Sequence, residues 1–582
     1  MPSDQYDMVC LGGGVAAGYW AEEMVALIKS GARSTGVSPK LKICIISSYP
    51  EGLAPYERSE LSKECLRPSD AHHRDWQAWG NKTFPYTSQG NDREPRSARW
   101  YKENDVTMLG WCECYEADVA NGTLKLLQYS DRNRTKAKAK RLSIVYGSLL
   151  VATGSSPKRL HGDAEAPCFC VRHPDLRGAR IEKQERYGLG SAHYLRDVGD
   201  CIKLVKALGT SPPTAEAGDA GSEVSNTVAL VGGGLLCIEV AAAIVSYFPG
   251  VRPLLLVAKS RLMPEFFSNE MSDFYEERLT EAGVRIEKGV RGERLWGLEE
   301  QGEFETLGGE RAHFGPAPRG FTECRGVVVR GDDGKLKHVP ARVVFIGIGS
   351  VPNSELFRTQ LELLEDGGIS VDSQCRARQP APAEDGAIGA SWCRPVFAAG
   401  DVAAYPLSLE GGRRVRHEHV QNARDMAIVA ARNMLETSAT PAGSVAGAIC
   451  GSGTTPGKMY NALVTSTFLS VPNFSSRFLD LSWRFYGVPE GKVVVLGESE
   501  FRTTRTFGAF WVRGERVVGA FLEGGTMEQQ IAVAQLTRLR PKVFSARILK
   551  GSQLGDFLED PGSIEAADES DFTQLLMCCR CV

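Results

Sequence analysis

The sequence predicts an α/β protein with two Rossmann-like dinucleotide-binding units and a C-terminal α+β unit, and three observations carry this. Two strand–glycine turn–helix patterns stand far apart in the chain, one opening at Tyr6 and the other at Thr227. A single doubly wound sheet needs one phosphate-binding turn, so two turns imply two nucleotides. Each pattern is later followed by an apolar run ending in glycine, Leu149–Gly154 and Val343–Gly349, which reads as a closing strand. Beyond a Gly/Ser/Thr/Pro-rich linker at Thr437–Gly457, short apolar runs alternate as in an antiparallel sheet.

Taken in order, Tyr6–Leu11 is the first strand, Gly12–Gly18 the turn and Trp20–Lys29 the helix, with Leu41–Ile46 as the next parallel strand. The second unit repeats this with Thr227–Val231, Gly232–Gly234, Leu235–Val245 and Pro253–Val257. After Val396–Asp401, a helix is expected from Val420 to Leu435. The last unit comprises Lys492–Leu496, Gly508–Val512, Val517–Leu522 and a helix at Met527–Leu536. The expected division is therefore 1–195 and 359–458 for one split unit, 196–358 for the unit inserted in it, 459–550 for the α+β unit and 551–582 for a flexible tail. Polar stretches at Ser88–Ser97, Asp163–Gly190, Thr210–Ser225 and Pro380–Gly389 read as loops.

Composition narrows the function. A chain of 582 residues is too long for one core, since single cores stop growing at roughly 250 to 300 residues. With 68 Lys and Arg against 71 Asp and Glu, no global field favours nucleic acid or an anionic membrane, so a small partner is expected. No apolar run approaches the ~20 residues that span a bilayer, and no export signal is evident, so a cytoplasmic location with reduced thiols is expected.

The first turn has the form G-x-G-x-x-A through Gly12, Gly14 and Ala17. Gly12 permits the turn, Gly14 lets a diphosphate approach the backbone, and Ala17 lets helix and strand pack closely. In the second turn, Gly232 and Gly234 match but Cys237 stands at the third small position. Asp401, at the end of an apolar strand, can accept a hydrogen bond from a ribityl hydroxyl or serve as a helix cap; taken with the two glycine turns in this order and spacing, it points to a flavin nucleotide.

The segments GGGVAAG, APYERSELSK (54–63), LLVATGSSPKRL, VGGGLLCIE, FAAGDVA and EHVQNAR together resemble the two-dinucleotide-domain flavoprotein reductases. Residues 476–487 (SRFLDLSWRFYG), 519–525 (GAFLEGG) and 416–420 (RHEHV) narrow the resemblance to the monodehydroascorbate reductases, over about residues 6 to 545. That resemblance implies FAD as the resident cofactor, NADH or NADPH as donor, and a small radical anion, monodehydroascorbate, as acceptor. It implies that Gly13, Gly14, Val15 and Ala16 wrap the FAD diphosphate and that Glu51 holds the adenosine ribose. Arg58, Lys63, Cys114 and Arg196 would line the FAD site, with Asp401 on the ribityl chain and Val420 at the ring edge. Gly232, Gly234, Glu239, Gly349, Glu418 and His419 correspond to nicotinamide-cofactor contacts, and Arg424 to the arginine that attracts the acceptor.

Two positions depart from the family. Ser475 stands where a tyrosine usually precedes the Ser-Arg pair, removing an aromatic face from the acceptor site. Lys259 stands where an NADH-preferring member presents a glutamate to the adenosine ribose. A lysine attracts a 2′-phosphate and Arg261 adds to it, while Glu265 opposes, so NADPH is expected to serve at least as well as NADH.

APYERSELSK contains no cysteine, which argues against a disulfide reductase, and Cys65 reads as a packed thiol. Cys112/Cys114 and Cys168/Cys170 lack zinc spacing, and no metal site is expected. The ending Cys579–Val582 fits only a loose lipidation pattern. The alternatives are a ferredoxin-type or quinone reductase, and a flavin-binding protein related to apoptosis-inducing flavoproteins.

Overall fold

The computed structural model describes residues 4–35, 41–50, 52–68, 88, 94–130, 139–160, 192–209, 226–298, 300–315, 324–380, 394–438, 466–469, 471–496 and 506–540. Glu51, Cys168, Cys170, the tail 551–582 and nearly all of the four polar stretches lie outside them.

Met8–Leu11 are buried on both faces, as a central parallel strand must be. The strand Asp4–Leu11 lies between Ile43–Ile46 and Lys140–Val151, with Val106–Leu109 beyond Ile43–Ile46. Lys140–Val151 is long because its two ends pair differently. Its first half runs antiparallel to Thr123–Gln128, and its second half runs parallel to Asp4–Leu11 and to Val396–Ala398. Val396–Ala398 thus returns to the first sheet after the chain has built the second.

The second sheet is wholly parallel, in the order Arg285–Lys288, Arg252–Val257, Thr227–Val231, Val343–Ile346 and Ala192–His193. Ala192–His193 pairs with Val344 and Phe345, so the second unit begins slightly before the expected division at residue 195. Its parallel register, rather than any local sequence signal, assigns it there.

The third sheet is antiparallel, in the order Asn473–Phe478, Leu481–Gly487, Arg516–Glu523, Phe507–Arg513 and Lys492–Leu496. One face packs on the second unit: Phe267 stacks on Tyr275 at 4.7 Å and meets Trp483 edge-on at 5.7 Å. Burial of each such ring contributes about 2–3 kcal/mol, and together they lock the third sheet to the second unit. The other face carries the helix Met527–Leu539, opened by a capping box between Thr526 and Gln529. It runs past the expected Leu536 and stops where Arg540 turns left-handed.

Candidate active site

Both glycine turns sit at the C-terminal ends of their strands, where a doubly wound sheet opens its crevice. Gly12 has φ +138°, and a Cβ there would stand 2.1 Å from the Ala152 carbonyl oxygen. No side chain fits. Gly14 instead faces the cleft, where a Cβ would meet only the Arg58 guanidinium, at 3.4 Å. Ala16, Gly400 and Ala423 converge, so the starts of the helices Val15–Thr35 and Val420–Ser438 both reach this crevice. Their free amide groups favour an anionic or electron-rich ligand there.

The resulting cavity, about 640 Å³, is lined by Gly12–Ala16, Arg58, Lys63, Arg196, Asp401, Glu418, His419 and Val420, and by Ser475, Arg477 and Arg484 of the third sheet. Ala17, by contrast, is fully buried against the core, the packing role its small size predicts. Arg58 donates to the Tyr49 hydroxyl at 2.9 Å, while its buried Nε has no partner. An orphaned guanidinium nitrogen beside a glycine turn fits a site built for a diphosphate. Asp401 accepts from Arg196 at 3.1 Å and from Ser155 at 3.2 Å, which holds its carboxylate toward the cavity.

At the junction of the three units, Lys63 lies 2.9 Å from Glu239. Glu239 also accepts from Ser476 at 2.6 Å and from Ser62, so one buried carboxylate ties together the first unit, the second unit's helix Leu235–Tyr247 and the third sheet. Neither the Ser62 nor the Ser476 contact with Glu239 is legible in the sequence. Their pairing depends on three segments meeting in space, for which no local pattern exists.

Beside this junction, His417 and His419 both pack on Phe474, at 5.5 and 5.8 Å. Burial lowers both imidazoles to about 4, assisted for His417 by Arg413 and Arg416 and for His419 by Arg424 and Lys63. They are neutral at physiological pH. His417 Nδ1 is 2.7 Å from the Tyr405 hydroxyl, and Glu418 is paired with Arg416 and bonded by Ser350.

Several expected contacts are placed differently. Cys114 is buried in the strand Cys112–Asp118, its thiol turned to the Glu116 carbonyl at 3.4 Å, so its side chain does not line the cavity. Arg424 does not line it either. Its guanidinium is 2.8 Å from Glu57, which also accepts from Tyr19 at 3.0 Å, and it lies 5.2 Å over the Tyr19 ring. Arg424 therefore has its charge offset by Glu57 and one face covered by Tyr19, while its buried Nε has no partner. Ser475 is exposed within the cavity.

A second cavity, about 560 Å³, is lined by Gly232–Gly234, Val257–Lys259, Arg261, Glu265 and Gly347–Gly349. Gly232 (φ +133°) abuts Gly347, while a Cβ on Gly234 would meet nothing within 4 Å, leaving the turn open to a ligand. Cys237 is fully buried behind it, 2.5 Å from where a Gly347 Cβ would be, and burial pushes its thiol up to about 12. It packs, and does not react. Lys259 is paired with Glu265 and Arg261 with Asp273, so these two cations already face carboxylates, while Arg291 and Arg159, the latter 4.9 Å over the Tyr194 ring, line the same cavity. This restrains the pull on a 2′-phosphate that the sequence suggests. The described cysteines, Cys65 included, are buried free thiols.

A family model described as pyridine nucleotide-disulphide oxidoreductase matches residues 6–427, and one described as monodehydroascorbate reductase 3-like, C-terminal domain, matches residues 471–556. The chain is 31% identical to the peroxisomal monodehydroascorbate reductase 2 of Oryza sativa subsp. japonica, over 92% of this chain and 86% of that protein. It is 29% identical to monodehydroascorbate reductase 3 of Arabidopsis thaliana, over 94% of this chain and 95% of that one. In fold it is similar to the covalent putidaredoxin reductase–putidaredoxin complex (TM-score 0.61, 20% identity, covering 95% of this chain and 98% of that chain). Among the described residues, no helix is long and apolar enough to cross a membrane.

Proposed function

The chain belongs to the pyridine nucleotide-disulphide oxidoreductase family, in its monodehydroascorbate reductase group, and is an FAD enzyme reduced by NAD(P)H; from that premise we propose that it passes electrons one at a time to monodehydroascorbate, regenerating ascorbate in the cytosol. The observation that carries this reading is the junction at Glu239, where the FAD cleft, the helix behind the second glycine turn and the third sheet meet. A donor arriving from the second cavity and an acceptor beside Ser475 would both reach a flavin ring held there.

Bound FAD supplies the chemistry, accepting a hydride from the nicotinamide and releasing electrons singly. The chain supplies position and electrostatics. The turn Gly12–Ala16 and the amides of the helix Val15–Thr35 would hold the diphosphate, with Arg58 beside it. Asp401, braced by Arg196, would accept from a ribityl hydroxyl. Lys63 keeps its ammonium beside the cavity because Glu239 neutralises it without displacing it. The neutral rings of His417 and His419 and the Phe474 face exclude water on that side without adding charge.

For the donor, Gly232–Gly234 and Gly349 line the cavity a diphosphate would enter, and Glu418, in the lining of the first cavity, would meet the nicotinamide. NADPH is used at least as well as NADH, a preference that Lys259 favours and Glu265 limits. The test is steady-state oxidation of each nicotinamide with monodehydroascorbate generated in situ, then with a quinone and ferricyanide. Turnover with ferricyanide alone would keep the flavoprotein and discard the ascorbate role. Imaging of the tagged full chain tests location, and accumulation in peroxisomes would overturn the cytosolic part.

A further inference from the structure

The strands Asn473–Phe478 and Leu481–Gly487 form a hairpin closed by only Leu479 and Asp480, with Leu479 at φ +52°. So tight a turn leaves no slack, and the register places Ser475 directly opposite Arg484 and Arg477 opposite Ser482. Directly opposed residues project from the same face of the sheet with Cβ atoms about 5 Å apart. The small serine and the long guanidinium are therefore neighbours, and both line the cavity that holds Lys63, Glu418, His419 and Val420.

The arginines around this cavity differ in what they already hold. Arg58 is bonded to Tyr49, Arg196 to Asp401, and Arg424 is closed off by Glu57 and Tyr19. Arg477 leans loosely on Glu60 and Glu64, at 3.6 and 3.9 Å. Arg484 is half-buried and, among the described residues, its side chain has no ion-pair or hydrogen-bond partner. A half-buried guanidinium without a partner pays desolvation without return until an anion arrives, and its planar fork suits a delocalised oxyanion.

We propose that Arg484, opposite Ser475, is the acceptor-binding residue of this chain. Its guanidinium occupies the space a small Ser475 leaves and holds a small enolate- or carboxylate-type anion at the cavity, while Arg424 serves the fold. The assignment rests on the reading of the chain as a reductase of a small anionic acceptor. Arg484 takes part in no bond change; it sets affinity and orientation, with Arg477 adding charge at the rim.

The test compares the FAD-loaded wild type with Arg484→Gln, Arg484→Lys and Arg424→Gln, using monodehydroascorbate as the anionic acceptor and 1,4-benzoquinone as the neutral one. Flavin content and the rate of flavin reduction by NADPH report whether each variant is intact. For Arg484→Gln the ratio of kcat/KM for the anion to that for the quinone falls about tenfold or more, through KM, as loss of a charge-assisted contact requires. Arg484→Lys, which keeps charge but loses the fork, falls between. For Arg424→Gln the ratio stays within about twofold. An unchanged ratio in Arg484→Gln, or a fall in Arg424→Gln alone, overturns the assignment. If the wild type reduces the quinone but not monodehydroascorbate, the proposed function fails, and the same ratio measured with hexacyanoferrate(III) as the anion still decides for or against Arg484.

Discussion

The two glycine turns have the same strand–turn–helix grammar, yet the clefts they open differ in how their charges are held. In the first, Lys63, Glu239, Arg196 and Asp401 are largely buried and bonded across unit boundaries. In the second, Lys259 with Glu265 and Arg261 with Asp273 are largely solvent-facing pairs within a single unit. A resident cofactor is suited by a site whose charges cannot rearrange. An exchangeable one is suited by pairs that open at little cost, because exposed ion pairs contribute only about 0–1 kcal/mol.

The largest expected break comes at the turns themselves. Gly12→Ala sets a Cβ against the Ala152 carbonyl at a φ that side chains avoid, so the protein loses several kcal/mol, roughly 3 or more, and purifies without flavin. Gly234→Ala meets open space, so it keeps its flavin while KM for NAD(P)H rises about tenfold. Flavin-to-protein ratio and KM separate the two; equal flavin loss in both would erase the distinction. Next, Glu239→Leu leaves Lys63 and Ser476 without their shared partner and lowers stability by about 3 kcal/mol, read from denaturant unfolding of the FAD-loaded protein. A much smaller loss would mean the junction is not the clamp described.

At the second cleft, Lys259→Glu lowers the NADPH-to-NADH ratio of kcat/KM about tenfold, whereas Glu265→Gln, by freeing the lysine, raises it by about threefold. A strong native NADH preference would contradict the role given to Lys259. The smallest effect concerns pH. Because His417 and His419 are lowered to about 4, they are already neutral well below pH 6 and protonate only as pH falls through that value. Flavin reduction by NADPH therefore shows no histidine titration between about pH 6 and 8. A step near pH 6.5 would place a solvated imidazole at the ring instead.

What could be read from the chain follows from how local each constraint is. Gly12, Gly232 and Asp401 are legible because one turn and one strand end demand them. The returning strand Val396–Ala398 is legible as an apolar run, though not its partner, Lys140–Val151. Arg424 is marked as the acceptor's arginine only by the family resemblance, and its pairing with Glu57 is not legible at all, since an ion pair between distant segments leaves no sequence pattern. Lys259 and Glu265 are near neighbours in sequence, and only the fold of their loop brings the charges together. Arg484 is reachable in principle: a two-residue turn at Leu479-Asp480 fixes the register that sets it against Ser475.

The central claim is that a flavin reduced by NAD(P)H delivers electrons to monodehydroascorbate, and rapid mixing under anaerobic conditions tests it most directly. Mixing the oxidised FAD-loaded protein with NADPH should bleach the flavin at least as fast as steady-state turnover, and monodehydroascorbate generated in a second mix should restore it at a comparable rate. Flavin that bleaches more slowly than turnover, or that monodehydroascorbate leaves reduced while a quinone reoxidises it, would contradict the account.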